Sequence, residues 1–474
     1  MAAEEYQRIA DAVAAEIADG RLRPGDRLPT QRAFARSRRI ADSTATRVYR
    51  ELARRGLTVG EVGRGTYVRA AQHAPGPALA EPPAPGALHV NLELNYPVVP
   101  EQAALLATGL TPLLRPDTLE AALRPTGPAG TDAARDAAAV LLAGTGLRTE
   151  PDLVRFAGNG RQAMAGALAC LVPPGERLGV ESLTYPMVKG IAARLGITLV
   201  PLATDEQGLR PDAVRAAHRA APLRALYLQP TLHNPLGVTM PAERRGELAA
   251  LLEELDLWAV EDAIWGFLKQ EDGPGAGPEG SPGARPGAAG PPLATLAPDR
   301  TFLVDSLSKR LAPGLTIGLA VAPPAYTDRL AAALRSGGWT ATGFALEAST
   351  RWMTDGSLER IVAAKRRDAA ARQALVREQL AGFSVHADPG SYFAWWELPA
   401  PWRAEMFLAA AARRGIAVTP AAAFAVAAEG AQGTGPAPNA VRLALASPPP
   451  ALLSQALATL AALAHGSPDD SLPE

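Results

Sequence analysis

The chain has 474 residues, 47% of them apolar and 20% charged, with a net charge of -1, so it exceeds one ordinary domain and can fill more than one core. Its single cysteine, Cys170, excludes an internal disulfide and suits a reducing cytoplasm. The first residues lack a basic, apolar leader pattern, and no uncharged apolar run is long enough for a bilayer, so neither a signal peptide nor a membrane span is expected.

Charge is unevenly spread: residues 1–73 hold 14 arginines against nine acids, the imbalance of a segment that meets a polyanion. Within it, Tyr6, Ile9, Ala10, Val13 and Ile17 recur at helical spacing until Gly20. After a turn at residues 22–26, Pro29 and Thr30 open a short helix through Phe34 and Ala35. Asp42 or Ser43 caps a third helix, with Val48 and Leu52 facing inward and Arg47, Arg50 and Arg54 outward. Gly56 ends it, and residues 57–68 read as two short strands around Gly63-Arg64-Gly65. Three helices and a basic hairpin over residues 1–69 make a winged helix-turn-helix, whose third helix fits a major groove of double-stranded DNA. Arg32 and Arg36 on the second helix and Ser43, Thr44, Thr46, Arg47 and Arg50 on the third are expected to meet the nucleic acid, with Arg64 entering a minor groove. The alternative is a small helical docking domain with a solvated basic face.

Residues 70–89 are rich in Pro and Ala and have the composition of a linker. From about residue 90, apolar strands (177–180, 199–202, 225–228, 258–261 and 301–304 among them) alternate with amphipathic helices. The alternation predicts an α/β domain over residues 90–465 with a largely parallel sheet. Within it, the Gly/Pro tract at 272–292 reads as a flexible surface insertion without chemistry, and residues 466–474 as a disordered tail.

Ligands bind at the carboxyl ends of strands in such sheets, and five segments there carry chemistry. Gly160, Arg161 and Gln162 lie between a strand ending near Phe156 and a helix beginning near Ala163, where backbone N–H groups suit a phosphate; an ordinary strand–helix turn explains them equally well. Tyr185 offers a ring to stack on a heteroaromatic ligand, or is a core tyrosine. Asn234, held in Asn234-Pro235-Leu236-Gly237, can donate to a phenolate, although a turn alone accounts for the pattern. Glu261 and Asp262 end a hydrophobic strand, and a carboxylate there keeps a pyridine nitrogen protonated. Last comes Lys309, one of only four lysines, in Ser306-Leu307-Ser308-Lys309. A lysine amine forms an imine with an aldehyde and a guanidinium does not, while a solvated surface lysine is the bland alternative.

The segments 20–29, 44–52 and 63–68 resemble the GntR family of bacterial regulators, across nearly all of residues 4–69. The five strand-end segments, in this order, resemble the fold-type-I aminotransferase superfamily across about residues 90–462, and the whole chain resembles a MocR-type regulator. The expected fold class is therefore α/β, a winged helix-turn-helix followed by a fold-type-I transferase-like domain. The resemblance implies pyridoxal 5′-phosphate as cofactor, joined to Lys309 as an imine. Asp262 would pair with the pyridine nitrogen, Asn234 with the phenolic oxygen, and Tyr185 would stack on the ring. Gly160, Arg161, Gln162, Ser306 and Ser308 would hold the phosphate, and Arg442 a substrate α-carboxylate.

Three positions depart from the family pattern. Thr316 stands where an arginine commonly clamps the phosphate, Trp265 where a tyrosine reaches the phenolic oxygen, and residues 123–127 lack a tyrosine that commonly reaches the neighbouring subunit's phosphate. Arg161, Arg310 and Arg124 are the candidate replacement cations. An intact lysine with an altered phosphate grip favours a sensor over an efficient catalyst. The expectation is a cytoplasmic, homodimeric, DNA-binding transcription regulator that takes pyridoxal phosphate, and an amino acid or amine, as effector. Two rivals stay open: a working aminotransferase with a DNA-binding appendage, and a fold that has lost its cofactor.

Overall fold

A computed structural model of the chain describes residues 2–18, 21–22, 26–54, 57–61, 65–68, 90–269, 290–427 and 437–467. Arg64, the linker at 70–89, most of the 272–292 tract and the tail beyond Ser467 lie outside the described residues.

The N-terminal unit has helices α1 (Ala2–Ala18), α2 (Gln31–Arg38) and α3 (Asp42–Arg54), and strands β1 (Arg27–Leu28), β2 (Thr58–Glu61) and β3 (Gly65–Val68). The Thr30 hydroxyl starts α2 by accepting from the N–H of Ala33 at 3.3 Å. Helix α3 begins at Asp42, and the Ala41 carbonyl accepts from Ala45, so Asp42 sits in the first turn rather than at the cap. Val13, Phe34, Val48, Tyr49 and Leu52 close one core with Val68 from the hairpin. Strand β1, unexpected from so short a run, pairs antiparallel with β3 and makes the hairpin a three-stranded sheet in the order β1-β3-β2.

The larger unit is organised on a seven-stranded sheet. Its strands are β4 (Val154–Ala157), β5 (Arg177–Glu181), β6 (Thr198–Leu202), β7 (Ala225–Leu228), β8 (Trp258–Asp262), β9 (Thr301–Ser306) and β10 (Gly318–Val321). The spatial order is β4-β10-β9-β8-β7-β5-β6, and all neighbours are parallel except at β10, which runs antiparallel to both β9 and β4. Strands β7 and β9 are buried along their whole length, as a parallel sheet covered on both faces requires. Their side chains feed separate apolar clusters, Tyr227 and Phe302 in one and Leu303, with Leu319 of β10, in another.

A second sheet was not anticipated. It has five strands in the order Val385–His386, Phe393–Glu397, Ala440–Ala444, Ile416–Pro420 and Val90–Leu92. The last pairs parallel with its neighbour, Val90 opposite Ile416, so the chain enters the larger unit on this sheet before reaching residues 93–96. Among the described residues no helix is long and apolar enough to cross a membrane.

Candidate functional site

The turn after β4 is built by two close approaches. Helix α4 (Gly160–Leu171) begins three residues earlier than expected, because Asn159 caps it by accepting from Gln162 N at 3.0 Å. A Cβ on Gly318 of β10 would lie 2.2 Å from the carbonyl oxygen of Asn159, and one on Gly160 would lie 2.9 Å from Ser306 Cβ. Glycine at both positions brings the first turn of α4 against β10 and against the end of β9, which leads into the one-turn helix α5 (Leu307–Arg310).

At this edge lies a cavity of about 180 Å³. Gly160, Arg161, Tyr185, Asn234, Asp262 and Ser308 line it, with Lys309 from α5 and Arg442 from the strand Ala440–Ala444 of the second sheet. Gln162 and Ser306, also expected there, do not line it. Ser306 is fully buried, and its hydroxyl caps α5 by accepting from Ser308 N at 2.9 Å. That hydroxyl is also 2.9 Å from Ser308 Oγ and 3.1 Å from Thr316 Oγ1.

Lys309 Nζ donates to the Asn95 carbonyl at 2.6 Å and sits 5.3 Å from the ring centre of Tyr96 and 5.4 Å from that of Trp265. Enclosure in the cavity, with Arg442 and Arg161 adding like charge, pulls its pKa down to about 7. Beneath it, the buried Lys365 donates to the carbonyls of Lys309 at 3.0 Å and Leu311 at 2.5 Å, pinning the turn that carries the amine. The other two lysines are also engaged: Lys189 with the carbonyls of Ala423 and Ala425 at 2.6 and 3.0 Å, and Lys269 with Asp388.

Strand alternation separates the two carboxylates that end β8. Glu261 turns away from the cavity, towards the buried Arg245 at 3.8 Å and the N–H of Ala294 at 2.9 Å. Asp262 lines the cavity, and its Oδ2 accepts from the Tyr227 hydroxyl at 2.7 Å and from Gln229 Nε2 at 2.9 Å. Burial raises its pKa while these donors oppose the rise. Gln229 Oε1 in turn accepts from Asn234 N at 3.1 Å, so one side chain orients both predicted ring contacts. Neither Tyr227 nor Gln229 stood out in the sequence; Tyr227 is hidden in an apolar strand.

Arg442 is buried on the smaller sheet. It donates to Glu93 O at 2.5 Å, Thr419 Oγ1 at 3.2 Å and Asn234 Oδ1 at 3.4 Å, and its guanidinium lies 5.2 Å from the Phe424 ring centre. Its Nε has no partner among the described residues, and burial lowers its pKa to about 10. Of the candidate phosphate cations, Arg310 is buried and committed to Asp305 at 2.6 Å, and Arg124 is exposed and does not line the cavity. Arg161 lines it, on the first turn of α4.

On the N-terminal unit, Arg32, Arg36, Ser43, Arg47 and Arg50 are exposed, whereas Thr44 and Thr46 are half-buried. Thr46 Oγ1 donates to Gln31 Oε1 at 2.9 Å, so this hydroxyl links α3 to α2.

Residues 121–460 match the family of class I and II aminotransferases, and residues 5–68 match the gntR family of bacterial regulatory proteins. The chain belongs to the class I and II aminotransferase family and carries a GntR-type domain in front of it. Among curated relatives, it is 29% identical to the uncharacterized HTH-type transcriptional regulator YdeF of Bacillus subtilis, over 89% of this chain and 87% of that protein. It is 28% identical to the HTH-type pyridoxine biosynthesis transcriptional regulator PdxR of Corynebacterium glutamicum, over 77% of this chain and 76% of that one. The aminotransferase fold is shared with kynurenine aminotransferase of Pyrococcus horikoshii, at a TM-score of 0.69 and 20% identity, over 82% of this chain and 96% of that one. This architecture, a GntR domain with an aminotransferase domain, is the MocR-type arrangement.

The aminotransferase family implies pyridoxal 5′-phosphate, and the cavity suits it. A lysine amine of lowered pKa, a buried carboxylate held by two donors, a glycine-built helix N-terminus and an arginine with an unpaired Nε all face one space.

Proposed function

We propose that the protein is a DNA-binding transcription regulator whose aminotransferase-like domain binds pyridoxal 5′-phosphate through Lys309 and reports its occupancy to the winged helix. The observation that carries this reading is the meeting of Lys309, Asp262 and Asn234 in one cavity of a chain that also bears a GntR domain. When bound, the cofactor supplies an electrophilic carbon and an electron sink. Lys309 would hold it covalently, Asp262 would face the ring nitrogen, Asn234 the phenolic oxygen and Tyr185 the ring face. Gly160, Arg161 and Ser308 would hold the phosphate, and Arg442 the carboxylate of an amino acid. Ligand binding shifts DNA affinity only if it favours one arrangement of the chain over another.

The test is a spectrum and a DNA titration. The purified protein with pyridoxal phosphate is expected to show a visible band that borohydride abolishes and that Lys309→Ala lacks. DNA affinity is expected to change with cofactor in the wild type only; equal affinities throughout would sink the sensor reading.

The same residues support a second reading, a working aminotransferase, because Lys309, Asp262 and Arg442 keep the parts that chemistry requires. Mixing the cofactor-loaded protein with single amino acids and following the band distinguishes the two: rapid bleaching marks a catalyst. We further assign a cytoplasmic homodimer and the functional division 1–69, 70–89, 90–465 and 466–474. Exposed apolar side chains support the dimer. Leu123 is 84% exposed and Phe344 44%, on segments that touch where Gly343 packs against the Ala122 and Arg124 carbonyls.

A further inference from the structure

The two cations that would meet a ligand in this cavity share a partner already, and it is one short stretch of backbone. Lys309 donates to the carbonyl of Asn95 at 2.6 Å and Arg442 to that of Glu93 at 2.5 Å. Residues 93–96 all line the cavity, and they follow directly on Val90–Leu92, the first described element after β3. We propose that segment 93–96 is a built-in competitor for the cofactor and for a carboxylate ligand, so that filling the cavity releases the segment and signals along the chain towards the DNA-binding unit. The proposal rests on the reading of this cavity as a pyridoxal phosphate site.

The competition is over hydrogen-bond donors. Condensation of a lysine amine with an aldehyde forms one C–N double bond and releases one water, leaving the nitrogen with at most one proton. Lys309 then cannot serve both its cofactor and the Asn95 carbonyl. A carboxylate that takes Arg442 through two N–H groups likewise displaces the Glu93 carbonyl. Backbone carbonyls stripped of donors away from water are costly, so the segment moves to find others.

From outside the cavity the segment is held by two side chains that do not line it. Asn91 Oδ1 accepts from the N–H groups of Glu93 and Leu94, both at 2.9 Å. Ser447 Oγ accepts from Tyr96 N at 3.1 Å and donates to the Leu94 carbonyl. These tethers keep the carbonyls aimed at the cations. Loosening them should therefore strengthen cofactor binding, whereas loss of a merely structural contact would weaken it.

The experiment uses the full chain freed of cofactor, as wild type, Ser447→Ala and Asn91→Ala. Pyridoxal phosphate is titrated by absorbance, and amide exchange is followed in a peptide spanning residues 93–99. The expected result is cofactor binding about three- to tenfold tighter in both variants. Exchange in that peptide should quicken when cofactor is added to the wild type, and quicken further with L-alanine unless Arg442 is changed to Gln. Unchanged or weaker cofactor binding in both variants, or no change of exchange on loading the wild type, overturns the proposal while the cofactor reading stands. A wild type that forms no borohydride-sensitive band overturns both.

Discussion

Lys309 gives up its proton far more readily than an ordinary lysine. With a pKa lowered to about 7, its amine is protonated below that pH and neutral above it, and only the neutral amine attacks an aldehyde. The rate of cofactor capture by the cofactor-free protein should climb as pH rises through about 7 and then level off, where an ordinary lysine would still be accelerating. Stopped-flow absorbance from pH of about 6 to about 9 reads this directly, and a rate that keeps rising would mean the amine is not desolvated. Arg161 makes the second prediction at this scale. With Arg310 locked to Asp305 and Thr316 in place of a charge, it is the one of the three candidate phosphate cations that lines the cavity. Arg161→Gln should weaken cofactor binding about tenfold, and adding Thr316→Arg should restore it; spectroscopic titration of both variants decides.

The glycine approaches are a property of paired elements rather than of single residues. Gly318→Ala puts a Cβ against the Asn159 carbonyl, so β10 and the start of α4 must separate. We expect a loss of about 1–3 kcal/mol in thermal or denaturant unfolding, with weaker cofactor binding, since the turn proposed to hold the phosphate is displaced. Much at this scale was legible in the sequence. Strand 225–228 has the bounds that its sequence predicts and β8 runs one residue past 258–261, because apolar runs flanked by turns have few other readings. The start of α4 was missed because Gly160 reads as a turn, although the Asn159 side chain is what begins the helix. The family resemblance makes Ser306 a phosphate ligand, whereas its hydroxyl caps α5 and it does not line the cavity. The donors to Asp262 and the role of residues 93–96 were not legible, since both depend on groups far apart in the chain. The hydrogen bond between Arg442 and Glu93 spans 349 positions.

At the scale of the whole molecule, two surfaces remain to be tested by their partners. Arg47 and Arg50 project from α3 into solvent, so Arg47→Ala should weaken DNA binding and lower the salt dependence of log affinity by about one. A fluorescence anisotropy series in salt measures this; an unchanged slope would place Arg47 off the phosphates. On the larger unit, Leu123→Asp with Phe344→Asp should shift the sedimentation of a dimer towards that of a monomer without unfolding it, because both side chains are already exposed.

Four lysines among 47 basic residues also make this an unusually quiet protein towards amine chemistry. Lys189, Lys269 and Lys365 are each tied to backbone or to a carboxylate, so few primary amines compete for an aldehyde reagent. Borohydride reduction of the loaded protein should therefore leave one covalent label per chain. Trypsin cuts after Arg300 and Arg310 and would be blocked at a labelled Lys309, so the label should arrive in a single uncut peptide of residues 301–310. The scarcity of lysine turns a mass spectrum into a count of occupied sites.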